Sequence, residues 1–231
     1  TSLIKKVLVS LKKQGLITVY IDLYKATSKQ KFVDLFAKAA GDQTTGNIQK
    51  GYDFIKVFLP RLLPKMILRP SGLPEIEFEY NHRKPISPLL SDLLESVNKL
   101  SLRKKKKAVV ALDEFQEITG FEDDEVEREM RSHFQSHRNV AYVFLGSKQH
   151  LMRQMFLNKN RPFYHSGKHF QLEKISKEDF SLFIINNFKA GGIEITGKIA
   201  EELLSKTECH PYYTQLFCSS LWDYCMENNI K

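Results

Sequence analysis

The 231-residue sequence is poor in cysteine and has no long uninterrupted apolar run. Its three cysteines, Cys209, Cys218 and Cys225, form no Cys-x-x-Cys pair, which argues against a disulfide framework and a zinc site and favours buried reduced thiols. The most apolar stretch, residues 54–68, is interrupted by lysine, arginine and proline and is therefore not a membrane span. The lysines near the N-terminus are scattered and no small-residue cleavage site follows, so a signal peptide is not indicated. We therefore expect a cytoplasmic protein with no membrane partner.

The formal net charge of +8 raises the question of a polyanionic partner such as DNA. Much of it is scattered, and one run, Lys104 to Lys107, stands directly before the apolar stretch AVVAL. The favoured interpretation is a solubilising charge at the mouth of a buried strand. Contact with DNA is the weaker alternative.

The residue pattern along the chain predicts an α/β fold. Strand-like runs, LITVYIDLY, AVVALDEFQEI and NVAYVFLGS, alternate with amphipathic helical patterns. Because the middle run is continuously apolar, we expect a parallel sheet that is covered by helices on both faces. Two further elements are expected between the first and second of these strand-like runs. One is a helical stretch over residues 48–68, broken or kinked at Pro60 and Pro64. The other is an exposed strand in which Glu75, Glu77 and Glu79 alternate with apolar residues.

The last third of the sequence predicts a different organisation. HFQLEKI, residues 169–175, indicates a final short strand, and the pattern beyond it is helical over about 177–188, 196–206 and 211–228. We therefore divide the chain into an α/β core, 1–173, and a small helical lid, 174–231.

Asp113 and Glu114 give the strongest functional signal, because they stand side by side where the buried strand ends. Ligands of open α/β sheets bind beyond the carboxyl ends of the strands. In a Walker B arrangement, the aspartate at such a place holds Mg²⁺, usually through water, and the glutamate aligns and polarises the attacking water. The alternative is an ordinary acidic turn at the end of a strand.

A second polar residue, Ser147, ends the next predicted strand. In that place it is expected to sense the γ-phosphate of a nucleotide. A serine there is equally suited to cap the helix that follows, KQHLMRQMF, so both interpretations stay open.

The sequence contains no phosphate-binding G-x-x-x-x-G-K-S/T motif, and its one glycine pair, Gly191-Gly192, lies between two predicted helices. Thr1, however, heads the amphipathic helix TSLIKKVLVSLKK, which is where the last residue of such a loop falls. We therefore expect the first strand and the phosphate loop to precede Thr1, and Thr1 to lie within a few ångströms of Asp113.

Together these residues carry a family resemblance. The TSLIKKVL helix, VVALDEFQEI, VFLGS, the RPFY loop before FQLEKIS, and ECHPYYTQLF resemble the P-loop ATPase domain of the AAA-like (ASCE) STAND class, found mainly in archaea and some bacteria. The resemblance implies a parallel-sheet P-loop NTPase core with a C-terminal helical lid, ATP and Mg²⁺ as cofactors, and a protein partner. It implies an oligomer as one possible assembly.

The resemblance also implies roles for individual residues. Thr1 and Asp113 are the expected Mg²⁺ ligands, with Thr1 and Ser2 contacting the nucleotide; Glu114 is the catalytic base and Ser147 the sensor. Pro211, in the CHPYY segment, resembles the lid proline near the nucleotide base, although Cys209 stands where the family usually has glycine. A switch that binds ATP without hydrolysing it is the alternative function.

Two further candidates are weaker. Arg161 is a candidate arginine finger, although an arginine beside a proline in a loop is more often solvated. His133 and His137 are four residues apart on a predicted helix and could bind a metal with Glu129. No third element supplies a matched ligand, so the favoured interpretation is a surface histidine pair.

Overall fold

The computed structural model describes residues 1–45, 48–68, 74–79, 86–121 and 123–230. They form two compact units, Thr1–Gly167 and Lys168–Lys231. In the described part of the chain, no helix combines the length and the apolar character needed to cross a bilayer.

The first unit alternates helices with strands. In chain order its elements are α1 (Ser2–Lys13), β1 (Ile17–Asp22), α2 (Lys29–Thr45), α3 (Ile48–Phe58), β2 (Leu63–Leu68), β3 (Pro74–Glu79), α4 (Ser87–Lys104), β4 (Ala108–Asp113), α5 (Glu125–Phe134), β5 (Val140–Phe144) and α6 (Gln149–Leu157). Short 3₁₀ turns follow β1, at Leu23–Lys25, and β4, at Phe115–Gly120.

A three-stranded parallel sheet in the order β1-β4-β5 organises this unit. Every residue of β4 is buried, as the continuously apolar sequence AVVAL predicts for a strand with neighbours on both sides and helices on both faces. In the register, Asp22 of β1 lies opposite Asp113 of β4. The carboxyl ends of the strands therefore meet at one edge.

Successive residues of β4 belong to two different apolar clusters, because side chains alternate between the faces of a sheet. Val110 and Leu112 pack into the larger cluster, which includes side chains from α2, α3, α4 and α5. Val109 and Ala111 pack with Leu8 of α1 into a smaller one. Helices therefore cover both faces of the sheet, as expected.

Three predicted elements differ from the structure. Residues 63–68 form β2, which pairs antiparallel with β3, instead of continuing the preceding helix. Proline lacks the N–H that a helix needs and clashes with the preceding turn, so Pro60 and Pro64 end the helical pattern instead of kinking it. The strand predicted around Glu75 is present as β3. The glutamates there alternate along a strand whose described partner is β2 alone.

The second difference concerns the segment HFQLEKI, which is not a strand. Its apolar residues Phe170 and Leu172 are 80% and 64% exposed, so alternation without a neighbouring strand did not produce one. The third concerns α2: the segment GDQTTG, which begins at Gly41, predicts a break in the helical pattern, but the helix continues through Gly41 to Thr45. Gly41 lies against the backbone of Gly51 in α3, with room for no more than a contacting Cβ, so this glycine serves a close helix approach and does not end the helix.

The second unit is helical and has its own core. Its helices are α7 (Lys177–Ala190), α8 (Gly197–Lys206) and α9 (Pro211–Glu227). Ser176 and Thr196 cap the first two through their hydroxyl oxygens, which accept bonds from Asp179 N and Ile199 N. Its core is formed by apolar side chains of all three helices and the loop between α7 and α8. Cys225 is buried in it and Cys218 is partly buried. The other buried residues of this core are Phe180, Ile184, Phe188, Ile193, Ala200, Leu203 and Leu204. Its role as a lid stays a prediction.

Candidate functional site

The candidate site lies at the carboxyl edge of the parallel sheet, where β4 ends in Asp113. The Asp113 side chain is almost fully buried, at 4% exposure. Glu114 follows with φ 52° and ψ 44°, in the left-handed region, which a non-glycine residue adopts at a cost of about 1 kcal/mol or more. This strained turn directs two successive carboxylates into the same edge of the sheet.

Three donors surround the Asp113 carboxylate. Thr1 Oγ1 and Tyr20 Oη each donate to Asp113 Oδ2 at 2.6 Å, and Glu114 N donates to Oδ1 at 3.1 Å. The predicted proximity of Thr1 and Asp113 is therefore confirmed. Thr1 is the N-cap residue of α1, yet its hydroxyl makes no capping bond, because it points to Asp113 instead.

These donors keep Asp113 ionised. Burial opposes ionisation, but the hydrogen bonds from Thr1 and Tyr20 outweigh it and hold the pKa of Asp113 below its usual range. Burial and the bond to Asp113 raise the pKa of Tyr20, so the phenol stays protonated as a donor. Lys5 Nζ lies 4.6 Å above the Tyr20 ring and supports its position. The threonine hydroxyl and the carboxylate are hard oxygen donors, the ligand type that Mg²⁺ prefers.

Glu114 is held by two side chains at the tips of neighbouring elements. Ser147 Oγ donates to Glu114 Oε2 at 2.8 Å and Gln116 Nε2 donates to the same oxygen at 2.6 Å. Burial raises the pKa of Glu114, but these bonds outweigh it and lower the pKa overall. Ser147 does not cap α6, whose N-cap residue is Lys148, so the capping alternative for Ser147 is wrong.

Gln116 is buried, and its side chain connects the carboxylates of this edge. Its Nε2 also lies 3.3 Å from Glu117 Oε1, which in turn accepts from Lys148 Nζ at 2.8 Å. Gln116 Oε1 is buried and has no hydrogen-bond partner among the described residues. A Cβ at Gly146 would overlap this oxygen and also Sδ and Cγ of Met152, so the absence of a side chain at Gly146 makes room for both Gln116 and Met152.

Two other predicted site residues of the first unit, Arg161 and Ser2, make no hydrogen bond to this carboxylate pair among the described residues. The Arg161 guanidinium forms an ion pair with the buried Glu127 of α5. Burial raises the pKa of Glu127 and the Arg161 charge lowers it, the burial being the larger effect. Ser2 is the first residue of α1 and is exposed. Pro211 belongs to the second unit, where it is the first residue of α9.

The histidine pair differs from its prediction. His133 lies in the last turn of α5 and is partly buried, and His137, three residues beyond α5, is 7% exposed, so they are not a surface pair. A third element does supply a matched group: Glu95 of α4 contacts both rings. The sequence could not reveal Glu95, because helix packing alone brings it to the histidines.

The lysine run lies at the opposite end of β4 from Asp113. Lys104 to Lys107 are exposed and connect α4 to β4, with Lys105 in the left-handed region at the helix end. A DNA contact through these lysines would therefore be separate from the candidate site.

Two residues of the site were missed in the sequence. Tyr20 looked like an ordinary aromatic strand residue, and only the pairing of β1 with β4 brings its hydroxyl to Asp113. Gln116 stands two residues after Glu114, and its spacing alone gave no signal. Its place between the apolar residues Phe115 and Ile118, close after the paired carboxylates, is the feature that could have indicated it.

Comparison with known proteins places this geometry in a known fold. No family model and no curated protein matches the sequence. The Walker-type ATPase PABY2304 of Pyrococcus abyssi is a structural neighbour, with a TM-score of 0.53 and 16% identity over 81% of this chain and 51% of its own. Over the matched residues, the chain shares the fold of this Walker-type ATPase.

A second neighbour supports the same conclusion. The ORC2 protein of Aeropyrum pernix, solved as ADPNP–ADP complexes, has a TM-score of 0.51 and 13% identity over 86% of this chain. The chain spans about half the length of the first neighbour and 43% of the second. At these identities the likeness concerns the fold.

Proposed function

We propose that the carboxyl edge of the parallel sheet binds ATP with Mg²⁺ and hydrolyses the γ-phosphate. The observation that carries this proposal is the 2.6 Å bond from the Thr1 hydroxyl to the Asp113 carboxylate. This hydrogen bond connects the N-terminus of the twelve-residue helix α1 to the buried carboxylate at the end of β4. Backbone N–H groups at a helix N-terminus favour the binding of phosphate. The fold shared with a Walker-type ATPase supports the same assignment.

Each residue of the edge then has a role. Thr1 and Asp113 hold Mg²⁺, directly or through water, and Tyr20 keeps the Asp113 carboxylate oriented and ionised. When bound, the Mg²⁺ supplies positive charge that offsets the charge developing on the phosphates. Ser2, one residue further along α1, contacts the nucleotide.

Glu114 positions the attacking water. Its lowered pKa makes it a weak base, so its contribution is to orient and polarise the water in line with the γ-phosphate. Ser147 and Gln116 fix the Glu114 carboxylate, and Ser147 also senses the γ-phosphate. For Arg161 to act as an arginine finger, its guanidinium must leave Glu127 and bind a phosphate oxygen instead. Pro211, in the helical unit, is proposed to contact the nucleotide base.

The output that we propose is closure of the helical unit on the nucleotide, which a protein partner reads in the manner of the STAND class. An oligomer is compatible with this proposal. The proposed mechanism needs no membrane and no DNA.

Equilibrium binding of Mg·ATP tests the site. In the full-length protein, Asp113→Asn should weaken Mg-dependent binding by at least about tenfold, because the amide loses the negative charge that Mg²⁺ requires. Asp22→Asn is the matched control at the same edge, since the Asp22 carboxylate accepts from Tyr24 N while Thr1 bonds Asp113, so this change should leave binding unchanged. Equal affinity for both variants and the wild type would place the nucleotide elsewhere.

The alternative is a switch that binds ATP without hydrolysing it. The observation that favours this alternative is that Glu114 Oε2 already accepts hydrogen bonds from Ser147 and Gln116, which leaves it less able to accept one from an attacking water. Both functions require the same Mg·ATP binding, so turnover distinguishes them.

A further inference from the structure

A cluster of metal-ligating side chains lies outside the carboxyl edge. Glu95 of α4, His133 of α5 and His137 beyond α5 bring one ligand atom each to within 4.8 Å of one another. Glu95 Oε1 lies 2.7 Å from His133 Nδ1 and 2.8 Å from His137 Nε2. Three groups from separate places in the chain thus converge on a single point.

Each histidine uses only one ring nitrogen at this point, and the other ring nitrogen has its own partner. His137 Nδ1 lies 2.6 Å from the hydroxyl of Tyr142 on β5. His133 Nε2 lies 3.1 Å from Ser91 Oγ and 3.4 Å from Glu129 Oε2. Metal-binding histidines in proteins show this pattern, in which an outer hydrogen bond fixes the tautomer and the orientation of the ring.

We infer that Glu95, His133 and His137 form a zinc site. Two imidazoles and one carboxylate are a known Zn²⁺ ligand set, with the fourth position filled by water. Mg²⁺ and Ca²⁺ prefer all-oxygen surroundings and do not suit it. Since tetrahedral zinc spaces its ligands about 3.3 Å apart, Glu95 Oε1 and the two ring nitrogens separate by about 0.5 Å on binding.

The zinc ion has a structural role in this position. It joins α4 to the end of α5 and to the turn that leads into β5, where Tyr142 holds His137. It thereby strengthens the contact of two helices with a strand of the parallel sheet. This inference is independent of the proposed ATP site, which uses other residues and another metal.

Zinc binding to the untagged, chelator-treated full chain tests the inference. Wild type should bind a single Zn²⁺ per chain, unfold at a higher temperature when zinc is present, and give a visible absorption spectrum of tetrahedral Co²⁺ when cobalt replaces zinc. Mg²⁺ should give no stabilisation. Tyr142→Phe, which keeps all three ligands, should weaken zinc binding by about 10- to 100-fold through the lost outer bond.

His133→Gln and Glu95→Gln should lose zinc binding and zinc-dependent stabilisation. His150→Gln, at an exposed position on α6, is the control and should behave as wild type. Absence of zinc binding by the wild type, or the same zinc affinity in His133→Gln, overturns the inference. The cobalt spectrum of the wild type keeps the test decisive even where a variant fails to fold.

Discussion

At the scale of single residues, the Glu114 carboxylate shows what a sequence can and cannot predict. The adjacent acids Asp113 and Glu114 were visible because a buried strand rarely ends in two charges without a cation or donors to compensate them. Ser147 was visible from strand order. Gln116 was not, because its contribution arises from a 3₁₀ turn that folds its amide back onto Glu114.

The Gln116 amide provides the first prediction. Gly146→Ala places a methyl group against Gln116 Oε1 and against Sδ and Cγ of Met152, so both side chains must shift and some stability should be lost. The displaced amide releases Glu114, so ATP turnover should fall by about tenfold or more, as misplacements near 1 Å do. Steady-state turnover and thermal unfolding measure the two effects.

Gly120→Ala is the matched control, since a Cβ at Gly120 meets no atom within 4 Å. Turnover of Gly146→Ala equal to that of the control would show that Gln116 does not position Glu114.

At the scale of elements, burial decided which predictions agree with the structure. The continuously apolar β4 and the helices with one apolar face formed as their patterns predict. The segment 169–175 has strand-like alternation but no partner strand, and 63–68 became a strand through pairing with β3. Pairing partners distant in sequence are not encoded in local pattern, so both differences lay beyond local inference.

The contact of α5 with the loop after α6 provides the second prediction. Arg161→Ala leaves the buried Glu127 carboxylate without its cation and should destabilise the fold by about 3 to 5 kcal/mol at neutral pH. Arg128→Ala is the control, because its exposed pair with Asp124 is worth only about 0.5 kcal/mol. Urea unfolding measures both.

The same variant has a defined pH dependence. Burial raises the folded-state pKa of Glu127 above its ordinary value of about 4.5, so the protonated carboxyl is favoured in the fold. The penalty of Arg161→Ala should therefore shrink as the pH falls toward 4.5 and grow as the pH rises through the folded-state pKa. If the loss of unfolding free energy caused by Arg161→Ala did not depend on pH, this would contradict the account that the variant leaves the Glu127 charge uncompensated.

At the scale of the whole molecule, the chain divides into an α/β unit and a helical unit with separate apolar cores. The sequence predicted this change of organisation from the loss of strand patterns after about residue 175. The boundary itself depends on packing, and the structure divides the chain after Gly167.

This division provides the third prediction. Residues 168–176 are exposed and form neither helix nor strand, so brief trypsin treatment should cut first after Lys168 or Lys174. Lys174 Nζ donates to Glu208 O, so Lys168 is the favoured position. Mass spectrometry of the fragments identifies the cut, and a first cut inside a helix of either unit would contradict this division.

The central claim is that Glu114 positions the water that attacks ATP, and turnover by Glu114→Gln tests it most directly. Mg-dependent turnover should fall by about 10²-fold or more while Mg·ATP affinity is kept, because the uncharged amide orients and polarises the attacking water less strongly than the carboxylate does. Glu117→Gln, which changes a neighbouring carboxylate bonded to Lys148, should retain most of the activity. Equal turnover by the wild type and Glu114→Gln would contradict the account and leave the nucleotide-binding switch.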